Sequence, residues 1–128
     1  MTKISNKITT QNAPQPVGPY SQAVTANGFL FLSGQIGLTQ KGKLAGETVE
    51  EQVKQIFCNI DAILQAADCS VTDVVKVTIY LTSEQDFKKV NALYEAWVRD
   101  PFPARSTIVV SKLPLNSLIE IECIAIAA

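Results

Sequence analysis

The chain contains no histidine. That absence removes histidine acid–base catalysis, Ser-His-Asp and Cys-His nucleophile pairs, and nearly every familiar transition-metal site. Cysteine is sparse and unpatterned: Cys58, Cys69 and Cys123 lack any C-x-x-C spacing, which argues for a reducing compartment and against a disulfide framework or zinc site. No apolar run approaches the ~20 residues of a membrane helix, and the first residues lack an apolar signal core. Lys3 and Lys7 among Ser and Thr are only a weak likeness to a mitochondrial transit peptide, because arginine is absent there. The expected location is therefore the cytoplasm, and no membrane partner is expected. A net charge of −1 and a pI of about 5.4 argue against a surface built to neutralise phosphates, and nucleic acid is not an expected partner. No acidic residue precedes Glu47, yet the lysines of that stretch (Lys3, Lys7, Lys41, Lys43) are scattered and read as solvated side chains. The side chains left for chemistry are carboxylates, guanidinium groups and hydroxyls, helped by backbone groups and water.

What is present is material for one core. The 128 residues, 47% apolar and 18% charged, fit a single domain over 1–128. The apolar share is high for so small a domain, which points to some burial between subunits. Residues 11–20, rich in Pro and Gly, can be neither helix nor central strand. A strand is expected over Ser21–Thr25, a tight turn at Asn27-Gly28, a second strand over Phe29–Ser33, and a break or bulge at Gly34–Gly37. Val49, Val53, Ile56, Phe57, Ile60, Ile63 and Leu64 have helical spacing, which predicts a helix over Glu47–Ala67 with Cys58 among its core residues. Val74–Leu81 alternates as a strand, with Val75, Val77, Ile79 and Leu81 on one face. Ser83 with Asp86 reads as a capping pair opening a helix that runs to about Arg99. Its stripe is Phe87, Val90, Tyr94, Trp97 and Val98, and Asp100-Pro101-Phe102-Pro103 stops it. Strands near Arg105–Val110 and Ile119–Ile126 close the chain. The fold class expected is α+β, a two-layer sandwich with a mixed sheet of about five to six strands and two helices on one face.

Strand parity marks candidate site residues. If Ile108 and Val110 face the helices, Arg105 and Thr107 face away; if Ile119, Ile121 and Cys123 face the helices, Glu120 faces away. Arg105, Thr107 and Glu120 are thus expected to share the sheet face without helices, with Ile124 and Ile126 beside them needing cover. Arg105 is one of two arginines against nine lysines. Its rigid fork fits a carboxylate with two parallel hydrogen bonds, as lysine cannot, but an Arg105–Glu120 ion pair holding the sheet end explains it equally well. Asn91 lies mid-stripe in the second helix, and a polar amide there is ordinarily a satisfied tie between helix and sheet; alternatively it braces a pocket. Tyr20, Ser33 and Gly34 lie in Gly-rich turns that let a backbone approach a ligand. Gly34, Gly37 and Gly42 lack the Gly-Lys-Ser/Thr ending of a phosphate loop.

Five segments carry a resemblance: Gly18-Pro19-Tyr20-Ser21-Gln22-Ala23, Ser33-Gly34-Gln35-Ile36, Val90-Asn91-Ala92-Leu93-Tyr94-Glu95, Pro103-Ala104-Arg105-Ser106 and Ile119-Glu120-Ile121-Glu122. In this order and spacing the chain resembles, over nearly its whole length, the reactive-intermediate deaminases, also called the YjgF family or the perchloric-acid-soluble (L-PSP) ribonucleases. The resemblance implies a chorismate-mutase-like fold and a homotrimer with three intersubunit clefts. It also implies a cofactor-free enzyme that hydrolyses the reactive enamines and imines released by pyridoxal-phosphate dehydratases, such as 2-iminobutyrate, to keto acids and ammonia. By the same resemblance Arg105 grips the substrate carboxylate and Glu120 holds the hydrolytic water. Tyr20, Ser33 and Gly34 line the cleft, Asn91 supports it, and Thr107 stands where many members carry cysteine. Leu118 replaces a frequently basic residue. Two other functions accompany the family reading: an endoribonuclease acting on single-stranded RNA, for which a chain without histidine has no evident acid–base pair, and a non-catalytic ligand-binding trimer.

Overall fold

The computed structural model describes residues 2–128. Its strands are β1 (Asn6–Ile8), β2 (Ala23–Ala26), β3 (Phe29–Gln35), β4 (Val74–Leu81), β5 (Ala104–Val109) and β6 (Ile119–Ile126); its helices are α1 (Val49–Ala66) and α2 (Phe87–Trp97). One sheet of order β1-β2-β3-β6-β4-β5 holds all six strands. β4 and β5 are parallel, joined through α2, and the other neighbours are antiparallel. The expected α+β sandwich is what forms. Leu30 and Leu32 of β3, Val77, Ile79 and Leu81 of β4, and Ile119, Ile121 and Cys123 of β6 are buried against Val53, Ile56, Ile60, Ile63 and Leu64 of α1 and Val90 and Tyr94 of α2. The alternate residues Phe29, Phe31, Ile108 and Ile126 lie exposed on the opposite, helix-free face. Among the described residues no helix is long and apolar enough to cross a membrane.

Local chemistry sets the boundaries. Asn27 (φ 52°) and Gly28 (φ 83°) both take the left-handed conformation, the geometry a two-residue hairpin with the strands' own twist requires. Thr48 caps α1: its hydroxyl accepts from Glu51 N at 3.2 Å while the Glu51 carboxylate accepts from Thr48 N at 3.3 Å. Ser83 accepts from Gln85 N at 3.2 Å, but it caps a short 3-10 turn over Glu84–Asp86, and α2 begins only at Phe87. The expected reciprocal bond from Asp86 to Ser83 is not made. Cys58 points to solvent rather than into the core. Val75 is 40% exposed and Val74 is buried, the reverse of the simple alternation, because the pairing of β4 with β6 shifts register between Val74 and Lys76.

The parity of β5 is also reversed. In the parallel pair, Arg105 stands beside Val77, Thr107 beside Ile79 and Val109 beside Leu81. Neighbours across a pleated sheet share a face, so Arg105 and Thr107 lie on the helix side with those core residues. Ser106 lies on the open side, where Lys76 Nζ donates to its hydroxyl at 3.0 Å. Glu120, beside Tyr80, lies on the open side as expected. The expectation that Arg105, Thr107 and Glu120 share one face therefore fails. It supposes that the apolar Ile108 faces the helices. β5 is an edge strand, and Ile108 is exposed on the open face.

Candidate functional site

Two half-sites form, one on each side of the sheet. The first is built between α2 and β5. Arg105 Nη1 donates to Asn91 Oδ1 at 2.8 Å, and the guanidinium carbon lies 4.8 Å from the Tyr94 ring centroid and 5.8 Å from that of Phe87. The amide holds one edge of the fork and the aromatic rings support its plane. Asn91 thus ties the helix to the sheet through the candidate ligand-binding residue itself, which unites its two readings. Glu95, Phe102 and Pro103 help Arg105 line a cavity of about 250 Å³. Among the described residues, no carboxylate lies within ion-pair distance of Arg105; the one ion pair is Lys89–Glu50 at 3.9 Å. The alternative Arg105–Glu120 pair does not form. Tyr94 is 6% exposed and its hydroxyl has no partner. Burial pushes its pKa up, opposed by the charge of Arg105. The Thr107 hydroxyl is likewise buried without a partner.

The second half-site surrounds Glu120. Its carboxylate lies over Gly34, where a side chain could enter only by pushing it aside: a Cβ there would lie 2.9 Å from Glu120 Cδ and closer still to Oε2. The register shift of β3 between Leu32 and Gln35 brings Gly34 to this position, a bulge where the glycine cluster led one to expect it. Burial, and secondarily the charge of Glu122, raise the pKa of Glu120. Glu122 accepts from the Tyr80 hydroxyl. Tyr20, Gly34, Ile36, Leu115 and Glu120 help line a cleft of about 780 Å³. Gly34→Ala should displace the Glu120 carboxylate without unfolding the chain, lowering any Glu120-dependent turnover roughly tenfold. Steady-state kinetics beside a thermal melt checks it.

Ser33 works differently from expectation. Its backbone N–H donates to Gln22 O at 2.9 Å and its hydroxyl to Ser21 O at 2.5 Å, so the groups that would meet an anion are already engaged, and Gly34 rather than Ser33 lines the cleft. Ser33 holds the lead-in to the fold. Sequence reasoning missed the residues that assist it. Gln22, 2% exposed, accepts from Thr10 N at 2.8 Å and donates to Pro14 O at 2.9 Å, folding residues 10–14 over the cleft. Gln52 accepts from Leu118 N at 2.8 Å and donates to Gly46 O at 3.0 Å; Asn59 donates to Leu38 O at 2.9 Å. The available signal was two amides at positions 52 and 59, each three residues after an apolar residue of the α1 stripe, where only a bonded amide is tolerated.

The loop before β6 carries backbone strain. Leu115 (φ 57°) and Asn116 (φ 55°) are both left-handed. Asparagine tolerates this, whereas an ordinary side chain loses roughly 1–2 kcal/mol there. Among the described residues no group of His, Cys, Asp or Glu is arranged to hold a metal ion.

One chain therefore presents an unpaired guanidinium and a desolvated carboxylate on opposite faces of one sheet, each beside a cavity. Fold and site together define an α+β sandwich with a candidate site group at each side of its sheet.

The chain belongs to the reactive-intermediate deaminase (YjgF, L-PSP) family: residues 10–127 match the family model described as Endoribonuclease L-PSP. It is 53% identical over 123 residues to a RutC family protein of Aquifex aeolicus, covering 94% of this chain and 98% of the relative. It is 44% identical over 124 residues to a human protein named 2-iminobutanoate/2-iminopropanoate deaminase, covering 96% and 90%. The crystal structure of the Escherichia coli YjgF gene product superposes with a TM-score of 0.89 at 41% identity, covering 95% of this chain and 98% of that one. That of E. coli TdcF with bound serine superposes with a TM-score of 0.90 at 34% identity, covering 97% and 100%.

Proposed function

We propose that this protein hydrolyses 2-imino acids, such as 2-iminobutyrate, to 2-keto acids and ammonia, as a cytosolic homotrimer whose active sites lie between subunits. The observation that carries the reading is the half-buried Arg105 guanidinium, fixed by Asn91 and Tyr94 and left without a carboxylate partner. A cation so placed calls for an anionic ligand, and its fork suits a carboxylate. Serine, the ligand of the similar TdcF structure, carries an α-carboxylate of this type.

In the reaction, Arg105 orients the substrate through that carboxylate. Glu120 accepts a proton from water as the water oxygen bonds to C2 of the imine. Glu120 delivers that proton to the nitrogen, giving the neutral carbinolamine. It then takes the carbinolamine hydroxyl proton and passes it to the nitrogen as C=O forms and the C–N bond breaks, so ammonia leaves behind the keto acid. A carboxylate whose pKa is raised by burial is a better proton acceptor near neutrality than an exposed one. The reaction consumes one water and needs no redox partner. Thr107, in place of the family's frequent cysteine, supplies no thiolate, so no step is assigned to its side chain.

Arg105 and Glu120 stand on opposite faces within one chain, and the reading therefore requires a neighbouring copy to bring the Arg105 of one chain to the Glu120 of another. The exposed Phe29, Phe31, Ile108 and Ile126 on the open face are the apolar surface such copies would cover. The test has two parts: ammonia release from freshly generated 2-iminobutyrate with and without the protein, and particle mass by light scattering at micromolar concentration. Accelerated release by a particle of three chains is the expected result; no acceleration, or a monodisperse monomer, would overturn the reading.

A further inference from the structure

Leu115 is placed where its own fold leaves most of its side chain uncovered. It adopts a left-handed backbone that glycine or asparagine would take without strain, and its side chain is 64% exposed. The loop is nevertheless pinned on its C-terminal side. Ser117 N donates to Pro114 O at 3.1 Å, and Leu118 N to the buried Gln52 amide at 2.8 Å. Strain at an exposed leucine in a pinned loop points to a role outside the chain's own packing. Leu115 projects into the cleft of Glu120, whose other walls include Pro114, Val17, Ile36 and Leu38, and whose titratable lining side chains are Glu120, Tyr20 and Lys41.

We infer that Leu115 is a specificity-determining residue, the apolar wall that receives the side chain of a 2-imino acid and favours branched aliphatic substrates over short ones. This assignment rests on the deaminase reading above. With the substrate carboxylate held by a neighbouring copy's guanidinium and C2 beside Glu120, the side chain extends along the apolar wall. Each methylene that a hydrophobic pocket receives raises discrimination severalfold.

The test uses the full chain and two imines generated in situ by an amino-acid oxidase, one from leucine and one from alanine. The readout is the ratio of kcat/KM for the leucine-derived imine to that for the alanine-derived imine. Leu115→Gly should lower this ratio roughly tenfold with no loss of Tm, because glycine suits the left-handed backbone. Leu115→Met, which keeps an apolar side chain of similar length, should hold the ratio within about threefold. An unchanged ratio in Leu115→Gly overturns the assignment. So does a change in particle mass, since Leu115 would then be covering an interface between copies. A wild-type chain that hydrolyses neither imine fails at the deaminase reading itself, an outcome separate from a wild-type chain that hydrolyses both while Leu115→Gly leaves their ratio unmoved.

Discussion

Replacing Arg105 by alanine is expected to abolish most imine hydrolysis while leaving the fold intact. The guanidinium makes one hydrogen bond, to Asn91, and rests on two rings; it closes no ion pair whose loss would strand a buried carboxylate. Arg105→Lys keeps the charge but loses the fork. A charge-assisted hydrogen bond contributes about 1.5–3 kcal/mol, so losing part of that grip lowers kcat/KM roughly tenfold to a hundredfold. Alanine should be worse. Kinetics and thermal melts on the same preparations check the pair. An Arg105→Ala protein that unfolds yet keeps normal activity per folded molecule would show a structural residue instead of a ligand-gripping one.

Glu120→Gln should lower kcat by at least about a hundredfold, the usual contribution of a positioned acid–base group. The amide keeps the shape over Gly34 and loses the ability to take a proton from water. The pH dependence has a definite sign. Burial raises the pKa of Glu120, the active form is the carboxylate, and wild-type kcat/KM should therefore climb with pH until that raised pKa is passed. Stability runs the other way. A carboxyl whose folded pKa lies above its unfolded value binds its proton more tightly when folded, so its stabilising contribution is full below the unfolded value and is lost as pH rises through the folded one. Glu120→Gln, uncharged throughout, should consequently melt no lower than wild type at neutral pH. A neutral-pH Tm well below wild type, with activity retained, would contradict both halves of this argument.

Much of the molecule was legible in its sequence because hydrophobic period is a direct record of burial. The α1 stripe, the alternation of β6 and the Asn27-Gly28 hairpin appear where the pattern puts them. The short β1 escaped detection because Asn6-Lys7-Ile8 is mostly exposed and three residues carry no usable alternation. The face of β5 was misjudged for a related reason: periodicity separates the two sides of a strand but does not say which is inside, and on an edge strand an apolar residue need not be covered by its own chain. Arg105 and Glu120 were identifiable as residue types in a suggestive pattern, whereas their placement on opposite faces depends on the parallel pairing of β4 with β5, a long-range choice invisible to local spacing. The amides Gln22, Gln52 and Asn59 hold loops around the cleft through partners 12, 66 and 21 residues away. Such couplings leave almost no mark on neighbouring residues.

The proposed trimer, in which each site is shared between two neighbouring chains, also has a genetic consequence. In a ring of identical chains with heterologous interfaces, each interface joins one surface of a chain to a different surface of the next, here the side carrying Arg105 to that carrying Glu120. Arg105→Ala and Glu120→Gln chains would each be inactive alone, because every site in either ring lacks one group. Co-expressed or refolded together, they should complement each other. Where an intact Arg105 chain meets an intact Glu120 chain in the correct order, a complete site is restored, and random mixing at equal dose restores about a quarter of all sites. A double variant carrying both changes on one chain acts differently: mixed equally with wild type, it also leaves about a quarter of the sites whole, well below the half expected if each chain held its own site. Two alleles that each eliminate activity would thus behave as a functional pair in a diploid or merodiploid cell, while the double allele would behave as a partial dominant.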